Sequence, residues 1–290
     1  MTAAAELSRA GSGRVDQLRT FARRNPTIVA GAGLLVFMAL VAVSASLIAG
    51  DAQFLNPSER LRGPSAVHWF GTDHLGRDVY ARTVFGARIS LVVGIAVAIL
   101  SITSGLAIGL VAGYFRRVDA PVMRLMDGLM AIPGILLAIA LVSLNRASVG
   151  IVIVAISIPE IPRVVRLVRS VVLTTREQPF IEAAIGGGSR HWKIILRHIL
   201  PSTIAPLIVQ ATYVMASAIL TEAGLSFLGA GVPPEIPTWG NMIASSRLFL
   251  ASAPWTIFFP GTCLALVVLA VNLMGDGLRD RLDPRLARRM

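Results

Sequence analysis

The chain has 290 residues, 54% of them hydrophobic and 15% charged, with a formal net charge of +11 and a mean hydropathy of +0.71. Soluble domains carry about a quarter charged residues, so this composition excludes an ordinary water-soluble globule and requires much of the surface to face lipid. The basic residues cluster between apolar runs, as membrane proteins place them, which excludes a nucleic-acid binder. The single cysteine, Cys263, excludes a disulfide framework or a cysteine metal cluster within the chain.

A bilayer core of about 30 Å needs roughly 20 apolar residues in a helix, and six segments meet or approach that length. The first, residues 28–49, follows Arg19, Arg23 and Arg24. It is longer than the roughly 7–15 apolar residues of a signal peptide, so it reads as a retained anchor behind a tail spanning 1–27. Residues 1–15, rich in Ala, Ser and Gly, are expected to be disordered. A loop over 50–88 comes next. The second span lies in the uncharged stretch between Arg88 and Arg116, and the third covers 128–145. The fourth starts near Ala147 and runs through Pro159 and Pro162 to the Arg166 region. The fifth covers 202–222 and the sixth 252–275, leaving a tail over 276–290.

Basic residues orient these spans. The N-terminal tail, the second connection (Arg116, Arg117, Arg124), the fourth connection (Arg163 to Arg197) and the C-terminal tail hold twenty of them. The opposite side holds seven: Arg60, Arg62, Arg77, Arg82, Arg88, Arg146 and Arg247. The bias towards positive cytoplasmic loops places both termini and the fourth connection in the cytoplasm, and 50–88 outside.

That fourth connection contains EAAIGGGSRHWKIILRHILP, residues 182–201. Glu182, Ala183 and Ala184 suit a helix start, by charge against the helix dipole and by propensity. Gly186, Gly187 and Gly188 then interrupt the helix. A second amphipathic turn follows around Trp192, and Pro201 is expected to open the fifth span, where its missing N–H does no harm. Helix, bend, helix makes a knob that fits a groove on another protein or lies on anionic lipid.

Glu182, Ala183, Ala184, Gly188, Leu200 and Pro201 also follow the pattern E-A-A-x3-G-x9-I-x-L-P, with His198 at the usual Ile position and Ile199 beside it to supply the apolar contact. Further passages are FGTDHLGRDVYARTVFGARISL from Phe70, AGYF from Ala112, EAGLSFLGAGV from Glu222, WGNMI from Trp239, SAPW from Ser252 and NLMGDGLRDRLDPR from Asn272. Over most of 65–285, in order, the chain resembles the DppC/OppC-type permease subunits of bacterial dipeptide and oligopeptide ABC importers.

The resemblance implies an all-α integral membrane protein of six transmembrane helices with the type I ABC importer permease fold. Its core would be 89–275, with a cytoplasmic coupling loop over 177–200. It implies a half-pore in the bacterial inner membrane, completed by a homologous second permease, two cytoplasmic ATPase subunits and an external binding protein. ATP and Mg would belong to the ATPases and no cofactor to this chain, which lacks the G-x-x-x-x-G-K-[ST] loop needed to cradle phosphates. The implied cargo is peptide, with nickel or glutathione as the alternatives found among relatives. A self-sufficient secondary carrier is the competing class, but it has no need of an ATPase-docking knob.

Three groups of charges invite a role. Glu160 and Arg163, three apart and flanked by Pro159 and Pro162, form either a mutual ion pair or part of the translocation path. Glu222 lines an external gate or packs between helices beside Ala223 and Gly224. In the external loop, Asp73, Arg77 and Asp78, with His74, dock the binding protein or brace the loop. One His and two carboxylates among arginines make a poor zinc site, so no metal is expected. His68, His191 and His198 are scattered in sequence and receive no chemistry.

Overall fold

The computed structural model describes residues 20, 22, 23, 25–145 and 147–282. The expected disordered segment, the tail arginines Arg9, Arg14, Arg19, Arg24, Arg285, Arg288 and Arg289, and the loop residue Arg146 lie outside the described residues.

The described residues form a helical bundle without strands; Thr72 and Asp78 make an isolated bridge. In chain order the helices are α1 (Pro26–Ile48), α2 (Val79–Tyr114), α3 (Arg116–Ala131), α4 (Gly134–Ser143), α5 (Val149–Arg176), α6 (Pro179–Gly186), α7 (His191–Phe227), α8 (Trp239–Ser246) and α9 (Trp255–Leu282). α2 is the axis of the bundle: it packs against α1, α5 and α7, most extensively against α5.

Three glycines one turn apart explain that closeness. A Cβ on Gly105, Gly109 or Gly113 would fall 2.5–2.7 Å from the Cβ of Val164, Val168 or Val172 respectively. The α2 backbone therefore lies directly on a valine ridge of α5. Lipid offers no hydrophobic drive between helices, so such small-residue contact is the main source of attraction there.

α1, α2, α7 and α9 are long and apolar enough to cross a bilayer. α3 and α4 together form a broken fifth segment bent by 86°. α5, at 28 residues, is about 42 Å long but carries Glu160, Arg163 and Arg166 near its middle. It stays helical through Pro159 and Pro162.

One expectation is corrected here. The apolar run 128–145 is not one straight span. Pro133 has no N–H to continue α3 and holds Ile132 in the extended region (φ −93, ψ 129). Gly128 to Ala131 therefore end the amphipathic α3, and α4, ten residues long, reaches only about 15 Å. Pro201 sits as expected in the first turn of the regular α-helical stretch Leu200–Phe227. α7 is continuous from His191, and a π turn at Ile195–Ile199 carries the amide of Leu200 to the carbonyl of Ile195.

Candidate functional site

The segment 177–201 folds as a knob at the end of the bundle where α2 and α5 finish. α6 closes in a Schellman motif: Gly188 N–H donates to Ile185 O (2.9 Å), and Ser189 N–H to Ala184 O (3.0 Å). Gly188 has φ +73, the left-handed conformation that a side chain resists. The glycine of the motif is thus the residue that turns the chain between the two helices. Ile181, Ile194 and Ile199 are fully buried beneath the knob and join the main core, so the apolar contact falls to Ile199, not His198. Glu182 and Ala183 face solvent, with Phe180, Ile185, Trp192 and Leu196 about half exposed. Leu200 is partly buried and Pro201 exposed.

The knob is fastened to α2. Tyr114 Oη and His191 Nδ1 share a hydrogen bond of 2.8 Å, and Arg176 Nη1 donates to the Tyr114 carbonyl at 3.2 Å. α3 is strapped to α5 nearby. Arg169 donates to both carboxylate oxygens of Asp119 at 2.5 and 2.6 Å, and Arg166 to Asp127 at 2.6 Å. Sequence reasoning assigned none of these partners, because each pair joins residues dozens of positions apart.

At the opposite end, Asp73 accepts from the Leu75 and Arg77 amides (2.8 and 2.9 Å) and from Arg77 Nε (2.7 Å). Both side chains are buried. Asp78 caps α2 through the Ala81 amide and meets His68 Nδ1 at 2.7 Å, while His68 Nε2 meets Glu59 at 3.0 Å. The hydrogen bond to Asp78 is the main reason the His68 pKa is raised, with the bond to Glu59 adding to it. His74 is held below its ordinary pKa by burial. The contacts of Asp73, Arg77 and Asp78 lie within the loop and at the start of α2, and Asp73 and Arg77 offer almost no surface of their own. They brace the loop.

The translocation-path candidates separate. Glu160 and Arg163 lie together in a cleft of ≈ 340 Å³ under the α3–α4 elbow, lined also by Ile132, Pro133, Ile156, Ser217 and Thr221. Arg163 Nη1 is 3.4 Å from each Glu160 oxygen, and Ser217 Oγ donates to Oε1 at 3.0 Å. Glu222 lies elsewhere, outside this cleft. It is fully buried, its Oε1 accepting from Ser226 (2.8 Å) and Thr238 (2.9 Å), and α8 seals it in. That seal is held by Trp239 Nε1 donating to Thr83 O and by Asn241 Nδ2 reaching three carbonyls of the preceding loop. Of the six motif passages, EAGLSFLGAGV and WGNMI are thus two halves of one joint.

Residues 105–288 match the family described as binding-protein-dependent transport system inner membrane component. The chain is 59% identical, over 92% of each sequence, to the probable peptide ABC transporter permease protein y4tQ of Sinorhizobium fredii. It is 46% identical to the dipeptide transport system permease protein DppC of Alkalihalophilus pseudofirmus, covering 91% of this chain and 88% of that one. It is 41% identical to the glutathione transport system permease protein GsiD of Pectobacterium atrosepticum, covering 92% and 90%. Its fold is similar to a chain of the MetNI methionine ABC transporter in an inward-facing form, with TM-score 0.57 and 17% identity, over 70% of this chain and 96% of that one. An all-helical bundle with several membrane-length helices, a glycine-turned knob at one end and this breadth of likeness lead to one conclusion: the chain belongs to the binding-protein-dependent transport system inner membrane component family.

Proposed function

We propose that this chain is the pore-forming subunit of an ATP-driven importer that takes up peptides delivered by an external binding protein. In this reading it forms half of the pore with a homologous permease, and its knob receives a cytoplasmic ATPase. The six apolar segments cross the membrane, with α3 and α4 together as the third and both termini in the cytoplasm. The carrying observation is the knob itself. Three buried isoleucines root it in the core while its outer surface, Glu182 and Ala183 with Phe180, Ile185 and Trp192, stays unpartnered by the chain's own helices. A rigid base under an exposed, partly apolar surface suits a partner's groove better than lipid headgroups, because it transmits force in both directions. Peptide is the cargo class because relatives at 59% and 46% identity are named for peptide and dipeptide transport. Glutathione, itself a small peptide, names a relative at 41%.

The test is the complete importer in proteoliposomes, with uptake and ATP turnover followed for dipeptides, glutathione and nickel. Glu182→Lys and Gly188→Val should leave the complex assembled but uncouple turnover from cargo. A β-branched residue at φ +73 costs about 1–2 kcal/mol, enough to deform the turn. Normal coupled uptake in both variants would refute the role of the knob. Orientation is checked separately on a background with Cys263 replaced: an impermeant thiol reagent should label Ser65→Cys from outside and miss Ser189→Cys in intact cells. The reverse labelling would invert the topology.

A further inference from the structure

The cleft under the α3–α4 elbow has the construction of a ligand site. On α5 three arginines follow one another: Arg169 and Arg166 are gripped by α3 aspartates at 2.5–2.6 Å, whereas Arg163 touches Glu160 only at 3.4 Å and has a half-exposed side chain. Glu160 is buried and held from the other side by Ser217. On the same helix, Thr203 and Thr212 return their hydroxyls to their own backbone carbonyls three residues back, but Ser217 does not. Ser217 and Thr221 lie one turn apart on α7 and both line this cleft. Ile132, Pro133 and Ile156 supply apolar walls to the same cleft, whose ≈ 340 Å³ lies in the range of small-molecule sites.

We propose that this cleft is a transit site for the free ammonium terminus of the cargo, with Glu160 as its carboxylate partner and Ser217 and Thr221 beside it. The inference rests on reading the chain as an importer's permease, and it names the chemistry that the permease recognises. An incoming ammonium takes the place of Arg163, which swings to the wetter side of the cleft, so Glu160 exchanges one cation for another and is never left buried and unpaired. The exchange makes binding weak, as passage requires. A buried carboxylate disfavours an anionic cargo group. Among the described residues there is no group of three metal-ligating side chains, so a bare divalent cation finds too few ligands here. Peptides and glutathione share the ammonium; nickel lacks it.

The experiment uses the assembled complex in nanodiscs without its binding protein. A diazirine-bearing aliphatic residue replaces Met130, on the cleft wall, and radiolabelled alanylphenylalanine is photo-cross-linked to it. Unlabelled alanylphenylalanine should compete, and its N-acetylated form should compete at least about tenfold less well, the equivalent of about 1.4 kcal/mol. Glu160→Gln should abolish labelling, Arg163→Gln should keep or strengthen it, and the double variant should be as poor as Glu160→Gln, all with unchanged assembly by size exclusion. Equal competition by the acetylated peptide, no labelling in the otherwise native complex, or full labelling in the double variant would each overturn the site. Uptake by the native importer keeps the two claims apart. Peptide uptake without cleft labelling defeats this site alone; absence of peptide uptake defeats the functional reading.

Discussion

Asp73 and Glu160 are both buried carboxylates with an arginine three or four residues further along the chain, yet their surroundings are opposite. Asp73 has three donors within 2.9 Å, two of them backbone amides, and Arg82 as a second guanidinium at 3.9 Å. Glu160 has a hydroxyl at 3.0 Å and a guanidinium at 3.4 Å, and faces an open cleft. The contrast teaches that burial of a charge does not distinguish bracing from binding. What distinguishes them is whether the chain itself fills the charge's hydrogen-bonding capacity. A filled carboxylate is part of the scaffold, and one left loosely held is available to a ligand.

The sharpest way to break this comparison is Asp73→Ala. It strands the Arg77 guanidinium in a buried position, and removing one partner of such a pair costs about 3–5 kcal/mol. Proteolysis of the 50–78 loop in the purified complex should rise steeply and the thermal midpoint should fall. A neutral outcome would show that the loop is not braced here.

A smaller loss is expected from Gly109→Leu, which drives a side chain into Val168 (2.7 Å from the new Cβ to the valine Cβ). Overpacking of this kind costs about 1–3 kcal/mol and should tilt α5, carrying Glu160 away from Ser217. Val168→Gly in the same chain removes the opposing Cβ and should recover part of the thermal midpoint. Failure of the pair to recover would place the α2–α5 contact elsewhere.

The mildest prediction concerns pH. His68 holds Glu59 and Asp78 with both ring nitrogens, which requires the doubly protonated ring; Arg62 is the remaining charge beside them, on Glu59. Its pKa is raised in the fold, so its stabilisation is complete below the ordinary value of 6.5 and is lost as pH rises through the elevated one. Loop proteolysis should therefore increase modestly from mildly acidic to alkaline pH, and His68→Gln should flatten that dependence. A variant with the same pH slope would remove His68 from the brace.

Much of this molecule was legible from residues alone. Long uncharged runs must become helices in lipid, because no water satisfies their backbone groups, so α1, α2, α7 and α9 follow from composition. Gly188 was legible too, since a residue needed for its backbone conformation recurs at a fixed place in a motif. The break at Pro133 was written in the sequence, but hydropathy weighs apolar content and is blind to a missing N–H. The roles of Asp73, Glu160 and Glu222 were not decidable in that way. A carboxylate's use depends on which donors arrive from distant helices: Thr238 for Glu222, Ser217 for Glu160, and for Asp73 the local loop closing on itself. The sequence by itself determined that the chain lives in a membrane and presents a glycine-turned knob. Only the tertiary structure decided which buried charge is satisfied and which is left open, because hydrogen bonding is fixed at distances near 3 Å, between residues that the sequence keeps far apart.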